Sequence, residues 1–165
     1  MSLGTNASIF GERTFKDAVA YARKNNVIIV AAAGNNARDA SRRVPAGLQD
    51  VIAVSALDRY LNRASFSNRI NNTTYGIAAP GTSIISAHKN NSYATLDGTS
   101  MATPHVSGLI AVMKAIDPNL DLPTIHAILH TTGKVVPETK ETGRMIQPYP
   151  AILQTLSNMQ LASEG

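Results

Sequence analysis

Asp97-Gly98-Thr99-Ser100-Met101-Ala102-Thr103-Pro104-His105-Val106-Ser107-Gly108 is the stretch on which the reading of this chain turns. A glycine turn opens it, and a helix is predicted from about Ser100 to Ile116. The apolar residues of that helix (Val106, Leu109, Ile110, Val112, Met113) continue all round it, as in a central, buried helix. Pro104 falls in the first turn, where its missing N–H is not needed. Ser100 has two uses in this setting. Its oxygen can cap the helix. Alternatively it stands exposed as a nucleophile, with the free N–H groups of the helix start stabilising a developing oxyanion. His105, one turn in, reads as a hydrogen-bonded core histidine.

Working outward, Val27-Ile28-Ile29-Val30-Ala31-Ala32-Ala33 is a continuous apolar run rich in β-branched residues. Such a run fits a strand buried on both faces, hence a parallel sheet. Gly34-Asn35-Asn36 ends it as a turn, and residues 37–47 read as a loop. Val51–Val54 and Tyr75–Ala79 are two further strands, the latter stopped by Pro80-Gly81. Residues 83–86 and 92–95 pair as a hairpin around His88-Lys89-Asn90-Asn91. A helix over 14–26 capped by Thr14 precedes the first strand. Helices over 122–131, with Gly133 as the C-terminal cap, and 149–159 follow the central one. Helices alternating with buried strands define an α/β layered domain.

The 165 residues suffice for one domain with a substantial core. Hydrophobic residues make up 44% and charged residues 16%, a folded composition. The net charge of +4 is scattered, with only Arg42-Arg43 paired and no interleaved aromatics, which argues against nucleic acid. There are no cysteines, so disulfides and thiolate metal sites are excluded. No apolar run is long enough to span a membrane. Met1-Ser2-Leu3-Gly4 has neither the basic nor the apolar region of a signal peptide. Met1–Leu3 and Glu164-Gly165 have the character of vector-derived ends.

The segment from Gly98 to Gly108 resembles the serine signature of the subtilisin-like serine proteases, Gly-Thr-Ser-Met-Ala-x-Pro-His-Val-x-Gly, at every fixed position. Val30-Ala31-Ala32-Ala33-Gly34-Asn35 is similar to the family's strand that ends in the oxyanion-hole asparagine. Val44-Pro45-Ala46 with Val51–Val54, Arg63-Ala64-Ser65-Phe66-Ser67-Asn68 and Ala78-Ala79-Pro80-Gly81 match in the family's order. Together the matches cover about residues 27 to 135. Gly143–Ala151 departs from the family's usual motif before its last helix.

The resemblance implies a three-layer α/β/α fold with a mainly parallel sheet, incomplete on its N-terminal side. The chain would then be the C-terminal portion of a single peptidase domain. The resemblance implies a serine endopeptidase acting through an acyl-enzyme on Ser100, with Asn35 and the Ser100 N–H binding the oxyanion and Thr99 supporting that hole. Ser2-Leu3-Gly4 resembles the segment that pairs with extended substrate; Ala32 and Gly34 would line the substrate cleft. The family holds the Val44-Pro45 bond cis. The substrate would be an extended protein or peptide segment. Secretion is implied as the location. No cofactor is required; a weak structural calcium site is implied at the carbonyls of Ala46, Leu48 and Val51, of a kind suited to a hard cation.

In the family the triad order is Asp, His, Ser. Neither partner is recognisable here: His88, His105, His126 and His130 all lie outside the family's His-Gly-Thr-His context. The upstream part of the domain would supply both, and this chain alone would be inactive. Two other readings share the resemblance: a catalytically dead binding or scaffold module, and a naturally truncated remnant. The alignment also places Arg43 on the floor of the primary pocket, where it would pair with a substrate carboxylate. With a small shift of the loop, it would instead point to solvent alongside Arg42.

Overall fold

The β-branched run upstream of Gly34 forms a strand, and its alternate residues face opposite layers. In this computed structural model, which describes residues 1–2, 4–6 and 9–163, the elements run in chain order as follows. β1 (Thr5–Asn6) and α1 (Ile9–Lys24) lead to β2 (Ile29–Ala32), a 3-10 turn at Ala40–Arg42 and β3 (Arg43–Val44). β4 (Val51–Leu57), β5 (Tyr75–Pro80), β6 (Ile84–His88) and β7 (Ser92–Leu96) follow. The chain closes with α2 (Thr99–Ile116), α3 (Leu122–Thr132), α4 (Thr139–Thr142) and α5 (Pro148–Ser163).

β2, β4 and β5 make a parallel sheet in the order β2-β4-β5, with Ala31 opposite Ala53 and Ala53 opposite Gly76. Val30, Ile52, Val54 and Ile77 point to one face and pack with Val106, Leu109, Ile110 and Met113 of α2. Ala31, Val51 and Ala53 point to the other, against Phe15 and Val19 of α1. This period-2 division gives the three-layer α/β/α architecture expected of an apolar run buried on both sides. Ile52, Ile77 and Leu129 are wholly buried; each such side chain stabilises the fold by about 1.5–3 kcal/mol. β2 is an edge of the sheet. The backbone of Met1 continues the pairing there: its carbonyl accepts from Ala32 N at 3.1 Å and its ammonium donates to Val30 O.

Several local expectations are corrected. α1 begins before Thr14, which is therefore not its cap. Gly98, not Ser100, is the N-cap residue of α2, and no side chain caps that end. α2 is buried over one face rather than all round. Val112 is 45% exposed, and Pro104 and His105 are exposed beside it. His105 is thus not a core residue; its Nδ1 meets the Met101 carbonyl one turn back at 2.9 Å. Gly133 does follow α3, but with φ of −69° it is extended, not left-handed. A glycine fits because an added Cβ would lie 2.6 Å from Leu129 O. The 37–47 loop contains the 3-10 turn and β3, which pairs antiparallel with β1. Its Val44-Pro45 bond is cis.

Candidate active site

The turn before α2 is pinned from below. Gly98 N donates to Gly81 O at 2.8 Å, and Asp97 Oδ1 accepts from Ser83 N at 2.6 Å. The Pro80-Gly81 stop after β5 thus fixes where α2 starts, and hence where Ser100 stands. Ser100 is the second residue of the helix, half-buried, in the turn whose N–H groups have no partner within the helix. Its Oγ donates to the Ser2 carbonyl at 2.9 Å, and Ser2 Oγ donates back to the Ser100 carbonyl at 3.0 Å.

Asn35 stands at the C-terminal end of β2, and Thr99 orients it. The Asn35 Oδ1 accepts from Thr99 N at 3.0 Å and from Thr99 Oγ1 at 2.8 Å. Thr99 Oγ1 in turn accepts from Gly34 N at 3.1 Å. Only the oxygen of a carboxamide accepts, so these two donors fix which end is which. The Asn35 Nδ2 is left over Gly98, where a Cβ would sit 3.3 Å from it. An amide donor, a helix N-terminus and a serine hydroxyl are thereby brought together.

A residue whose role the sequence alone did not show, Asn68, holds the other side of this turn. It is wholly buried. Its Nδ2 donates to Ala33 O at 2.8 Å, and its Oδ1 accepts from Asn36 N at 3.1 Å and Arg38 N at 2.9 Å. Its own N–H donates to Gly34 O at 2.9 Å. Gly34 has φ of +105°, and a Cβ there would lie 2.6 Å from Asn68 Nδ2. Both the left-handed backbone and the close approach require glycine. The loop carrying Asn68 is tied to α4: Arg63 lies 3.2 Å from Glu138 and 3.3 Å from Glu141, Arg69 lies 2.9 Å from Glu141, and Ile70 N donates to Glu141 O at 2.8 Å.

A cleft of about 260 Å³ opens beside Ser100, lined by Ser2, Gly4, Ala32, Gly34, Asn35, Asn36, Arg43, Thr99 and Ser100. It brings together the sequence-predicted residues except Leu3, which lies outside the described residues. The two arginines divide: Arg43 is half-buried in the cleft, while Arg42 is exposed. Ala46, Leu48 and Val51 lie buried in the turn after Pro45, where Leu48 O already accepts from Val51 N at 3.3 Å. Among the described residues no cluster of three His, Asp or Glu side chains adds a metal-binding carboxylate or imidazole. Carbonyls alone fit a loosely held hard cation at most.

Among the described residues, none of the four histidines hydrogen-bonds to Ser100. His88 is exposed on β6, and His105 turns back on its own helix. His126 is held below the ordinary imidazole pKa, first by burial and further by the neighbouring His130, against a hydrogen bond to Gly76 O at 3.2 Å that works the other way. It packs edge-on to Tyr75 in α3's interface with β5. Asp39 also titrates below its usual range. Burial alone would raise it, but hydrogen bonds from Asn72 and Ser41 and the charge of Arg42 prevail.

A helix-start serine, a threonine-oriented asparagine and a glycine turn at the end of a parallel strand thus converge on one cleft. Residues 1–147 match the subtilase family. The chain belongs to the subtilase family. It is 42% identical over 122 residues to the thermophilic serine proteinase of Bacillus sp. (strain AK1), covering 74% of this chain and 29% of that protein. It is 38% identical over 136 residues to subtilisin DY of Bacillus licheniformis, covering 81% of this chain and 48% of the relative. The solved structure of a protease from Pseudoalteromonas arctica superposes with a TM-score of 0.85 at 29% identity, over 94% of this chain and 50% of that one. The chain thus spans from under a third to about half the length of these relatives.

Proposed function

We propose that this chain is the nucleophile- and oxyanion-bearing part of a serine endopeptidase domain. The observation that carries the reading is the Thr99–Asn35 arrangement, which leaves one amide donor beside the Ser100 hydroxyl. In the complete domain, Ser100 Oγ attacks the scissile carbonyl carbon while a histidine from the upstream part takes its proton. The Asn35 Nδ2 and the Ser100 N–H donate to the oxyanion. The C–N bond then breaks, the proton passes to the leaving amine, and water hydrolyses the acyl-enzyme to regenerate Ser100. The Ser2–Gly4 segment presents backbone to an extended substrate, whose side chain enters the cleft lined by Ala32 and Gly34.

The requirement for an upstream part is supported on two grounds. The hydroxyl of Ser100 meets a backbone carbonyl, which is not a base, and a serine without a base is a weak nucleophile. Pro104 and Val112 on α2, and Val27 just before the β2 edge, are exposed apolar side chains of a kind that further protein would cover. Alone, the chain is expected to be inactive. No cofactor enters the chemistry; a calcium ion at the carbonyls of Ala46, Leu48 and Val51 would act on stability only. Among the described residues no helix is long and apolar enough to cross a membrane. Secretion is the location proposed, in line with relatives such as the "Extracellular protease" of Xanthomonas campestris.

The test is hydrolysis of an unfolded protein substrate by the complete gene product and by its Ser100→Ala variant. The reading expects a loss of roughly 10⁶ in kcat, the value measured in subtilisin itself for the loss of its serine. Equal rates in both would refute it.

A further inference from the structure

Arg43 is the one charged side chain among the described residues lining the cleft beside Ser100. β3 pairs with β1, Asn6 opposite Arg43, and this pairing holds the backbone of Arg43 at the cleft wall. The guanidinium extends across to the far side. Its Nε lies 3.5 Å from where a Cβ on Gly34 would be, and its Nη2 is 3.5 Å from the Gly4 carbonyl. That second contact is at the outer limit of a hydrogen bond, and a substrate carboxylate, which takes charge-assisted bonds from a guanidinium, competes with it. The other described residues of the lining are neutral, so Arg43 brings the charge to it.

We infer that Arg43 makes the complete enzyme select glutamate or aspartate at the residue before the scissile bond. The inference rests on the serine endopeptidase reading and adds its substrate class. Two effects act in the same direction. A substrate carboxylate gains a charge-assisted partner of bidentate geometry in a half-buried site. An apolar side chain of similar size strips water from the guanidinium and gives nothing back. Selection therefore comes from attraction to the acid and from a penalty on its neutral rivals.

The experiment measures kcat/KM of the complete enzyme on three peptides that differ only before the scissile bond, carrying Glu, Gln or Leu. Glu and Gln match in shape, so their ratio isolates the charge. The expected Glu:Gln ratio is roughly ten- to a hundredfold, as for hydrogen bonds to charged groups. Arg43→Gln brings that ratio to near one, while Arg43→Lys retains part of it. The wild-type ratio alone tests the inference if the variants do not fold. A wild type that cleaves the Gln or Leu peptide as well as the Glu peptide overturns the assignment of Arg43 and leaves the peptidase reading standing. A Glu preference that survives in Arg43→Gln does the same. An enzyme that cleaves none of the three, with Ser100 unreactive toward a fluorophosphonate, overturns both.

Discussion

Replacing Asn68 with alanine removes three side-chain hydrogen bonds from a wholly buried position, at 2.8, 2.9 and 3.1 Å. At about 1 kcal/mol each, the variant loses about 3 kcal/mol of stability, and the orphaned Ala33 carbonyl and the Asn36 and Arg38 N–H groups set the upper side of that figure. The effect on catalysis has a separate origin. Asn68 fixes Ala33, Gly34 and Asn36 around Asn35, so its loss lets the proposed oxyanion donor wander. Removing one such donor in subtilisin costs about 10² to 10³ in kcat, a borrowed value that caps what Asn68 can contribute. The complete enzyme carrying Asn68→Ala should thus lose about tenfold or more in kcat with KM little changed. The decisive assay is a double-mutant cycle with Asn35→Ala. Once the Asn35 amide is gone, Asn68→Ala should lower kcat no further. Independent, additive losses would show that Asn68 does not act through Asn35, and an unchanged kcat in the single variant would refute the positioning argument outright.

Thr99→Val preserves shape but deletes the hydroxyl that joins Gly34 N to Asn35 Oδ1. It should cost about 1–3 kcal/mol in denaturant unfolding and lower kcat more than it raises KM. His126 binds its proton less readily folded than unfolded. Its contribution to stability is therefore complete above the ordinary imidazole pKa of about 6.5, and is lost as pH falls below that toward the folded value. Urea midpoints measured on either side of this window should show a slope that His126→Gln flattens; an unchanged slope would mean another group titrates. If calcium binds at the carbonyls of Ala46, Leu48 and Val51, chelation lowers the thermal midpoint of the complete enzyme and leaves kcat of the folded enzyme unaltered. A midpoint indifferent to chelator removes that proposal.

Elements with strong periodicity were legible from sequence. The Val27–Ala33 run contains β2, Val51–Val54 opens β4, and the residues around His88–Asn91 form the hairpin between β6 and β7. The serine segment was legible through its resemblance to the family's signature; read locally, Ser100 served as well for a helix cap, a place the structure gives to Gly98. The failures share a cause. Val112 and His105 belong to a helix read as buried all round, yet which flank a helix buries depends on what packs against it. The four-residue α4 has no apolar period; it is held by Ser55 Oγ on Thr142 O at 2.8 Å and by ion pairs to Arg63 and Arg69. Asn68 was visible only as part of a motif, since its partner Ala33 is 35 residues away. The hint lay in an amide side chain immediately after Phe66-Ser67, in a stretch otherwise fit for burial. The alignment set Arg43 apart from Arg42 but left its direction open; the pairing of β3 with β1 puts the backbone of Arg43 at the cleft wall.

Ser100 is proposed to be a nucleophile made competent by groups outside this chain. Covalent labelling with a fluorophosphonate, followed by mass spectrometry of the adducted peptide, tests it most directly. Rapid, saturable labelling is expected at Ser100 in the complete gene product, and none of comparable rate in the 165-residue chain alone. Equally fast labelling of Ser100 in the isolated chain, or labelling of the complete protein at a different serine, would contradict it.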